Sequence, residues 1–214
     1  MKVGGNFITF EGPEGCGKST QIKLLAEKIS ATGTQVVSTR EPGGTATGEA
    51  IRNILQHDAV DEPLSDRAEL LLFAASRAQL MERFILPHLA QGTWVLCDRF
   101  IDSTLAYQGF ARGMPLEDLE QINAFAIQQR KPDLTILLDL DVEQGFERLA
   151  KRYSDGTASA DRFEREAREF HLRVREGYHR LAERAPDRFR IISADQPIDV
   201  VAVAVWDAVK GALL

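Results

Sequence analysis

An α/β fold is predicted for this chain: five parallel strands flanked by helices. Three observations predict it. Apolar runs and helix-length amphipathic stretches alternate along the 214 residues, the order of a doubly wound sheet. The apolar runs are short and rich in Val, Ile, Leu and Phe on both faces, as strands buried between two helical layers must be. The first run leads straight into Gly12-Pro13-Glu14-Gly15-Cys16-Gly17-Lys18-Ser19, a G-x-x-x-x-G-K-[ST] loop between a strand and a helix. That loop places the fold among the three-layer P-loop NTPase type.

The elements follow in order. Asn6–Glu11 is a strand, and the helix Lys18–Thr32 opens directly from the loop. Gln35–Thr39 is the second strand. It ends in Arg40-Glu41-Pro42-Gly43-Gly44-Thr45, where a proline and two glycines mark a sharp turn and Thr45 is a cap for the helix that runs to Gln56. Ser65–Ala90 reads as one long helix and Thr93–Asp98 as the third strand. A helix Leu116–Gln129, a strand Leu134–Leu140 and a helix Val142–Tyr153 follow, the last begun by Asp141. The run Ser154-Asp155-Gly156-Thr157-Ala158-Ser159-Ala160 is small and polar between two Arg-rich helical stretches, the composition of a mobile lid spanning about 148–163. The helix Asp161–Arg184, the strand Arg188–Ser193 and the helix Pro197–Leu213 complete the chain.

Length and composition, with 44% hydrophobic and 27% charged residues, fit a single soluble domain over 1–214. No apolar stretch is long enough to span a bilayer, and the N-terminus lacks the apolar core of a secretory signal, so a cytoplasmic protein without membrane partners is expected. The two cysteines, Cys16 in the loop and Cys97 in a strand, suggest neither a disulfide nor a zinc site. A net charge of −6 argues against nucleic-acid binding.

Each element of the loop has a task on a nucleotide phosphate. Its glycines let backbone N–H groups turn inward around an oxyanion, Lys18 brings a cation to the terminal phosphates, and Ser19 offers a hydroxyl to Mg²⁺. The following helix points its positive end at the same charge. For a nucleoside triphosphate, Gly12, Pro13, Glu14, Gly15, Cys16, Gly17, Lys18, Ser19 and Thr20 make the binding loop. Asp98, ending the third strand, is placed to orient the water shell of the metal, and Arg99 beside it has the planar fork that suits a phosphate. Arg40, at the end of the second strand, is a further ligand candidate. Phe73 and Arg77 share a helix face four residues apart. Read alone, such a pair is more often a core ring and its solvated neighbour.

Together these segments resemble the bacterial thymidylate kinases of the nucleoside monophosphate kinase superfamily. The resemblance is carried by Phe10-Glu11-Gly12, Arg40-Glu41-Pro42-Gly43-Gly44-Thr45, Leu72-Phe73-Ala74-Ala75-Ser76-Arg77 and Asp98-Arg99-Phe100. It continues through Ser103-Thr104-Leu105-Ala106-Tyr107-Gln108-Gly109, Pro132-Asp133-Leu134-Thr135 and Asp161-Arg162-Phe163-Glu164. It implies ATP-dependent phosphorylation of dTMP to dTDP, a step of dTTP synthesis, with Mg²⁺ as cofactor, in a homodimer. It also implies that Phe73 stacks on thymine, Arg77 bonds its carbonyl and Arg99 binds the acceptor phosphate, with Arg40 nearby. Ser103 and Gln108 fall at base and sugar, Tyr107 packs where a ribose hydroxyl would clash, and Glu14 meets the sugar 3′-hydroxyl. Gly15 stands where some members carry an arginine, which implies the type whose catalytic arginine comes from the lid. Arg152 is the first candidate for that arginine, with Lys151 and Arg162 as other lid cations and Arg148 placed for the adenine of ATP. Two alternatives stand beside this: a deoxynucleoside kinase using Glu41 as base, and an ATP-hydrolysing switch.

Overall fold

The computed structural model describes residues 4–56, 62–154 and 162–214. All five strands form: β1 (Phe7–Glu11), β2 (Val36–Arg40), β3 (Trp94–Asp98), β4 (Leu134–Asp139) and β5 (Phe189–Ser193). They make one parallel sheet in the order β2-β3-β1-β4-β5. From the central β1 the chain crosses to the edge strand β2, returns to place β3 between them, and then passes to β4 and β5 on the other side. The crevice where the order reverses therefore lies at the carboxyl end of β1. The register aligns that edge. Phe10 lies opposite Asp98 on β3, Arg40 on β2 lies opposite Asp98 from the other side, and Glu11 faces Leu137 on β4.

The helices are α1 (Lys18–Ser30), α2 (Ala46–Gln56), α3 (Asp66–Leu80), α4 (Leu86–Ala90), α5 (Ile101–Thr104), α6 (Leu116–Ala126), α7 (Val142–Ser154), α8 (Arg168–Arg184) and α9 (Ile198–Leu213). The caps read from the sequence are made. Thr45 Oγ1 accepts from Gly48 N–H at 3.0 Å, and Asp141 Oδ1 from Glu143 N–H at 3.0 Å. Ser65 Oγ accepts from Ala68 N–H at 3.4 Å at the start of α3.

Alternation along the central strands sorts the core into two layers. Ile8, Phe10, Leu96, Ile136 and Leu138 face Ile22, Leu25 and Ile29 of α1 and Val201, Val205 and Val209 of α9. Their neighbours Phe7, Val95 and Cys97 face Leu80, Met81 and Ile85 on the opposite side. Leu137 meets Tyr107, Leu119, Val174 and Tyr178 there. Each fully buried Val, Leu, Ile or Phe side chain contributes about 1.5–3 kcal/mol of transfer free energy, so the two-layer pattern is the main source of cohesion.

Four boundaries differ from expectation, each for a local reason. Ser65–Ala90 is continuous but widens to a π-helical stretch at Met81–Ile85, where Pro87 has no N–H to return to the carbonyl of Arg83. The Leu116–Gln129 helix ends at Ala126, since Gln128 and Gln129 take positive φ of 50° and 63°. The helix expected from Asp161 begins at Arg168, because residues 162–166 form turns that bind the cleft instead, Arg162 N–H donating to Gln56 C=O at 3.3 Å. Ile101–Ala111, to which no element was assigned, is helical, α5 running into the π-helical stretch Leu105–Ala111. Thr104 and Gly109 inside it weaken the helical signal, and packing on α8 supplies what propensity lacks. No described helix is long and apolar enough to cross a membrane.

Candidate active site

A cleft of about 670 Å³ opens at the carboxyl ends of β1, β2 and β3. Glu14, Gly15, Gly17, Lys18, Ser19, Thr20, Arg40, Phe73, Arg77, Asp98, Arg99, Ser103, Tyr107, Gln108 and Arg148 all line it. Gly12, Pro13 and Cys16 complete the loop, with Cys16 buried beneath Lys18 and its thiol pushed up by that burial. The side chain of Arg152 and lid residues 155–161 lie outside the described residues.

The loop is shaped by close backbone approach. Gly15 has φ +73°, and a β-carbon there would lie 2.7 Å from the carbonyl oxygen of Gly145 on α7. A β-carbon on Gly145 would lie 2.6 Å from the carbonyl of Glu14, so two glycines let loop and helix touch. Lys18 Nζ crosses the loop and donates to the carbonyls of Gly12 at 3.1 Å and Pro13 at 3.0 Å. The loop runs straight into the positive end of α1, which begins at Lys18.

Ser19 Oγ donates to Asp98 Oδ2 at 2.8 Å. The two side chains set hard oxygen donors side by side at the cleft floor. Among the described residues no cluster of three or more His, Cys, Asp or Glu could hold a metal alone. Two oxygens and no all-protein cage is the donor set that suits Mg²⁺, which keeps its waters and takes phosphate oxygens as further ligands.

Arg99 is the electrostatic centre. It holds a positive φ of 67°, which aims the side chain across the sheet edge instead of along the strand. Its Nη2 donates to Glu14 at 2.6 Å, and its Nη1 to Tyr178 Oη at 3.0 Å and Ser103 Oγ at 3.2 Å. Tyr107 Oη also donates to Glu14, at 3.0 Å. Burial by itself would push the Glu14 carboxyl up. The Arg99 and Lys18 charges and the Tyr107 hydroxyl outweigh it and bring the group down to about 2.

On the other side of the cleft, Phe73 and Phe163 face each other with centroids 5.7 Å apart, and the Tyr107 ring stands 6.2 Å from Phe163. Arg77 is fully buried at the base of this slot. Its Nε donates to Glu41 at 3.0 Å, its Nη2 to Glu41 and Thr104, and its Nη1 to Asn123. Gln108 Nε2 donates at 2.7 Å to Glu69, a buried carboxylate that also accepts from Arg112 and Arg162. Arg162 is thus tied to the slot, on the side of the cleft remote from the phosphate loop. Arg148 donates to the carbonyls of Ala194 at 2.9 Å and Gly15 at 3.4 Å, lying between the loop and the end of β5. Arg40, half exposed, forms a two-point contact with Glu49 of α2.

A family model described as thymidylate kinase matches residues 10–205. The chain belongs to the thymidylate kinase family. It is 52% identical over 209 residues to the thymidylate kinase of Pelotomaculum thermopropionicum, covering 98% of this chain and 94% of that one. It is 50% identical over 204 residues to the thymidylate kinase of Geobacter sulfurreducens, with 95% of each covered. A crystal structure of thymidylate kinase from Ehrlichia chaffeensis superimposes with a TM-score of 0.75 at 36% identity, over 95% of this chain and 98% of that one. Family membership makes the chain an ATP-dependent kinase of dTMP.

Family segments seen in sequence also hid partners that only folding reveals. Tyr178, Glu69 and Arg52 line or brace the cleft from distant segments. No spacing rule pointed to them, since each is one polar residue in an amphipathic helix. Phe163 lies in Asp161-Arg162-Phe163-Glu164 and Glu11 in Phe10-Glu11-Gly12, segments that signal the family but by themselves imply no task for either residue.

Proposed function

We propose that the cleft seats dTMP and Mg²⁺·ATP end to end and transfers the γ-phosphoryl group in line, within one catalytic domain closed by a lid over about 148–163. Arg99 carries this reading. It stands beside the phosphate loop and offers a fork held by Glu14 on one side and by Ser103 and Tyr178 on the other, where an acceptor phosphate would meet the end of the triphosphate.

The nucleophile is a phosphate oxygen already ionised at neutral pH, so no strong base is needed and positioning with charge neutralisation suffices. Lys18, released from the Gly12 and Pro13 carbonyls, reaches the terminal phosphates. Ser19, with Asp98 behind it, would hold Mg²⁺, which would supply charge neutralisation there. Arg148, against Gly15 and Ala194, suits the adenine end. Arg152 brings the lid's charge, since at Gly15 the touching backbone of Gly145 leaves no room for an arginine. Phe73 stacks on the thymine, whose carbonyl meets Arg77 and Gln108, and Arg40 stands near the acceptor phosphate. Tyr107 lies over the sugar and Glu14 meets its 3′-hydroxyl. The burial of Glu41 in its pair with Arg77 speaks against a base for a neutral hydroxyl acceptor. A homodimer through α3 and α6 is supported by two large apolar side chains turned to solvent, Leu71 at 58% and Phe125 at 88% exposure.

The test is ADP release from Mg²⁺·ATP with dTMP, dUMP, ribothymidine monophosphate and thymidine offered separately. Strong turnover with dTMP and weak turnover with dUMP are expected, since one methyl group is worth about 1–3 kcal/mol. Turnover with thymidine, or hydrolysis indifferent to the acceptor, would refute the site map.

A further inference from the structure

β1 ends in a carboxylate that the proposed phosphoryl transfer does not use. Glu11 is fully buried. Its Oε1 accepts from Phe100 N–H at 2.8 Å, and its Oε2 from Ser103 Oγ at 2.6 Å and Tyr178 Oη at 2.9 Å. We infer that Glu11 is a positioning residue for Arg99, setting through the hydroxyls of Ser103 and Tyr178 the place at which the guanidinium meets the acceptor phosphate.

The direction of the hydrogen bonds makes the case. A hydroxyl has one proton to give. With Glu11 ionised, Ser103 and Tyr178, whose oxygens lie 2.8 Å apart, can both give theirs to the carboxylate, so each turns lone pairs toward the Nη1 of Arg99, which donates to both. Burial pushes the Tyr178 phenol well up, so its proton stays available for this bond. The same carboxylate fixes the backbone. Phe100 N–H, bound to Glu11, follows directly on Arg99, whose left-handed φ of 67° is strained in a residue with a β-carbon. One carboxyl group thus holds both ends of Arg99.

Stability alone would not select a carboxylate here. Glu11 ends the buried strand Phe7–Glu11, and it makes no ion pair within bonding distance among the described residues. Asp102, paired with Arg188 at 2.6 Å, adds like charge nearby. Burial and Asp102 together push the Glu11 carboxyl up to about 7, against the pull of Ser103, Arg99 and Tyr178. What a carboxylate provides is two acceptor oxygens that orient neighbouring donors.

This inference rests on Arg99 as the acceptor-phosphate ligand, so the experiment includes that reading. Steady-state kinetics are measured for Arg99→Ala, Glu11→Gln, Tyr178→Phe and the Glu11→Gln/Tyr178→Phe double variant, varying dTMP and Mg²⁺·ATP separately. Glutamine keeps the shape but offers N–H where the carboxylate accepts, which turns a hydroxyl proton back toward Arg99. Glu11→Gln is expected to raise KM for dTMP about tenfold, with KM for ATP changed by less than about twofold. Tyr178→Phe is expected to give about threefold in the same parameter, and the double variant no more than Glu11→Gln alone, since both act through one chain of bonds. If Arg99→Ala leaves KM for dTMP unchanged, the site reading itself fails. If Arg99→Ala raises it but Glu11→Gln does not, or raises both KM values equally, the inference alone is overturned. Should Glu11→Gln not fold, an unchanged KM for dTMP in Tyr178→Phe overturns it, and a selective rise upholds it.

Discussion

Removing Glu41 should destabilise this protein more than removing its partner, although the two form one ion pair. Arg77 is fully buried and the Glu41 side chain is 2% exposed, with Nε and Nη2 of the arginine both donating to the carboxylate. In Glu41→Met the guanidinium stays, and it cannot shed its proton. It keeps Asn123 and Thr104 but has no countercharge. Breaking a buried pair in this way costs about 3–5 kcal/mol. In a chain of this length each kcal/mol lowers Tm by about 2–4 °C, so a fall of roughly 6–20 °C is expected. In Arg77→Met the stranded group is a carboxyl that burial already pushes up, and it escapes by taking a proton. Its loss should be smaller, and smaller still at pH 5 than at pH 8. Glu41→Met/Arg77→Met should recover at least about 1 kcal/mol over Glu41→Met alone. Thermal melts and urea titrations of the three variants at both pH values measure all of this. Equal losses for the two single variants, or a Tm for Glu41→Met within about 3 °C of wild type, would refute the reasoning.

Three further outcomes are expected. Glu14, brought down from 4.5 to about 2, stabilises the fold fully above pH 4.5 and loses that contribution as pH falls toward 2. Between pH 5 and pH 3 wild type should therefore lose about 2 kcal/mol more than Glu14→Gln, read from urea midpoints. Arg152→Ala should lower kcat at least about a hundredfold with little change in KM for dTMP, as expected for a charge used on the transferring phosphoryl group; unchanged kcat removes it from the mechanism. Gly15→Ala adds a β-carbon 2.7 Å from the Gly145 carbonyl at φ +73°, so it should raise KM for ATP several-fold while Gly33→Ala, with open space around it, leaves that KM alone. Equal KM values for the two glycine variants would show that the loop has slack.

How much was legible beforehand follows from the range of each interaction. The phosphate loop is contiguous, and its spacing alone assigns Lys18 and Ser19 their tasks. The central strands β1, β3 and β4 were legible because burial on both faces leaves them mostly apolar, while the part-exposed edge strands β2 and β5 carry Ser38, Thr39 and Arg190. Asp98 and Arg99 were legible because a strand's carboxyl end is where such sheets bind ligands. Phe73 and Arg77 as a pair on one helix face were legible from their spacing of four. Hidden from any local pattern were the sheet order β2-β3-β1-β4-β5, which brings Arg40 and Asp98 level with the loop, and the helical turn of Ile101–Ala111 that carries Ser103, Tyr107 and Gln108. Hidden too was the partner of each buried charge. Arg77 finds Glu41, Arg99 finds Glu14 and Tyr178, and Glu69 gathers Arg112 and Arg162, across 36 to 93 residues of chain. Sequence determines which side chains are present and the periods along which they point. Only the packed structure decides which charge is stripped of water and which donor turns to meet it, because both depend on neighbours brought together by the sheet.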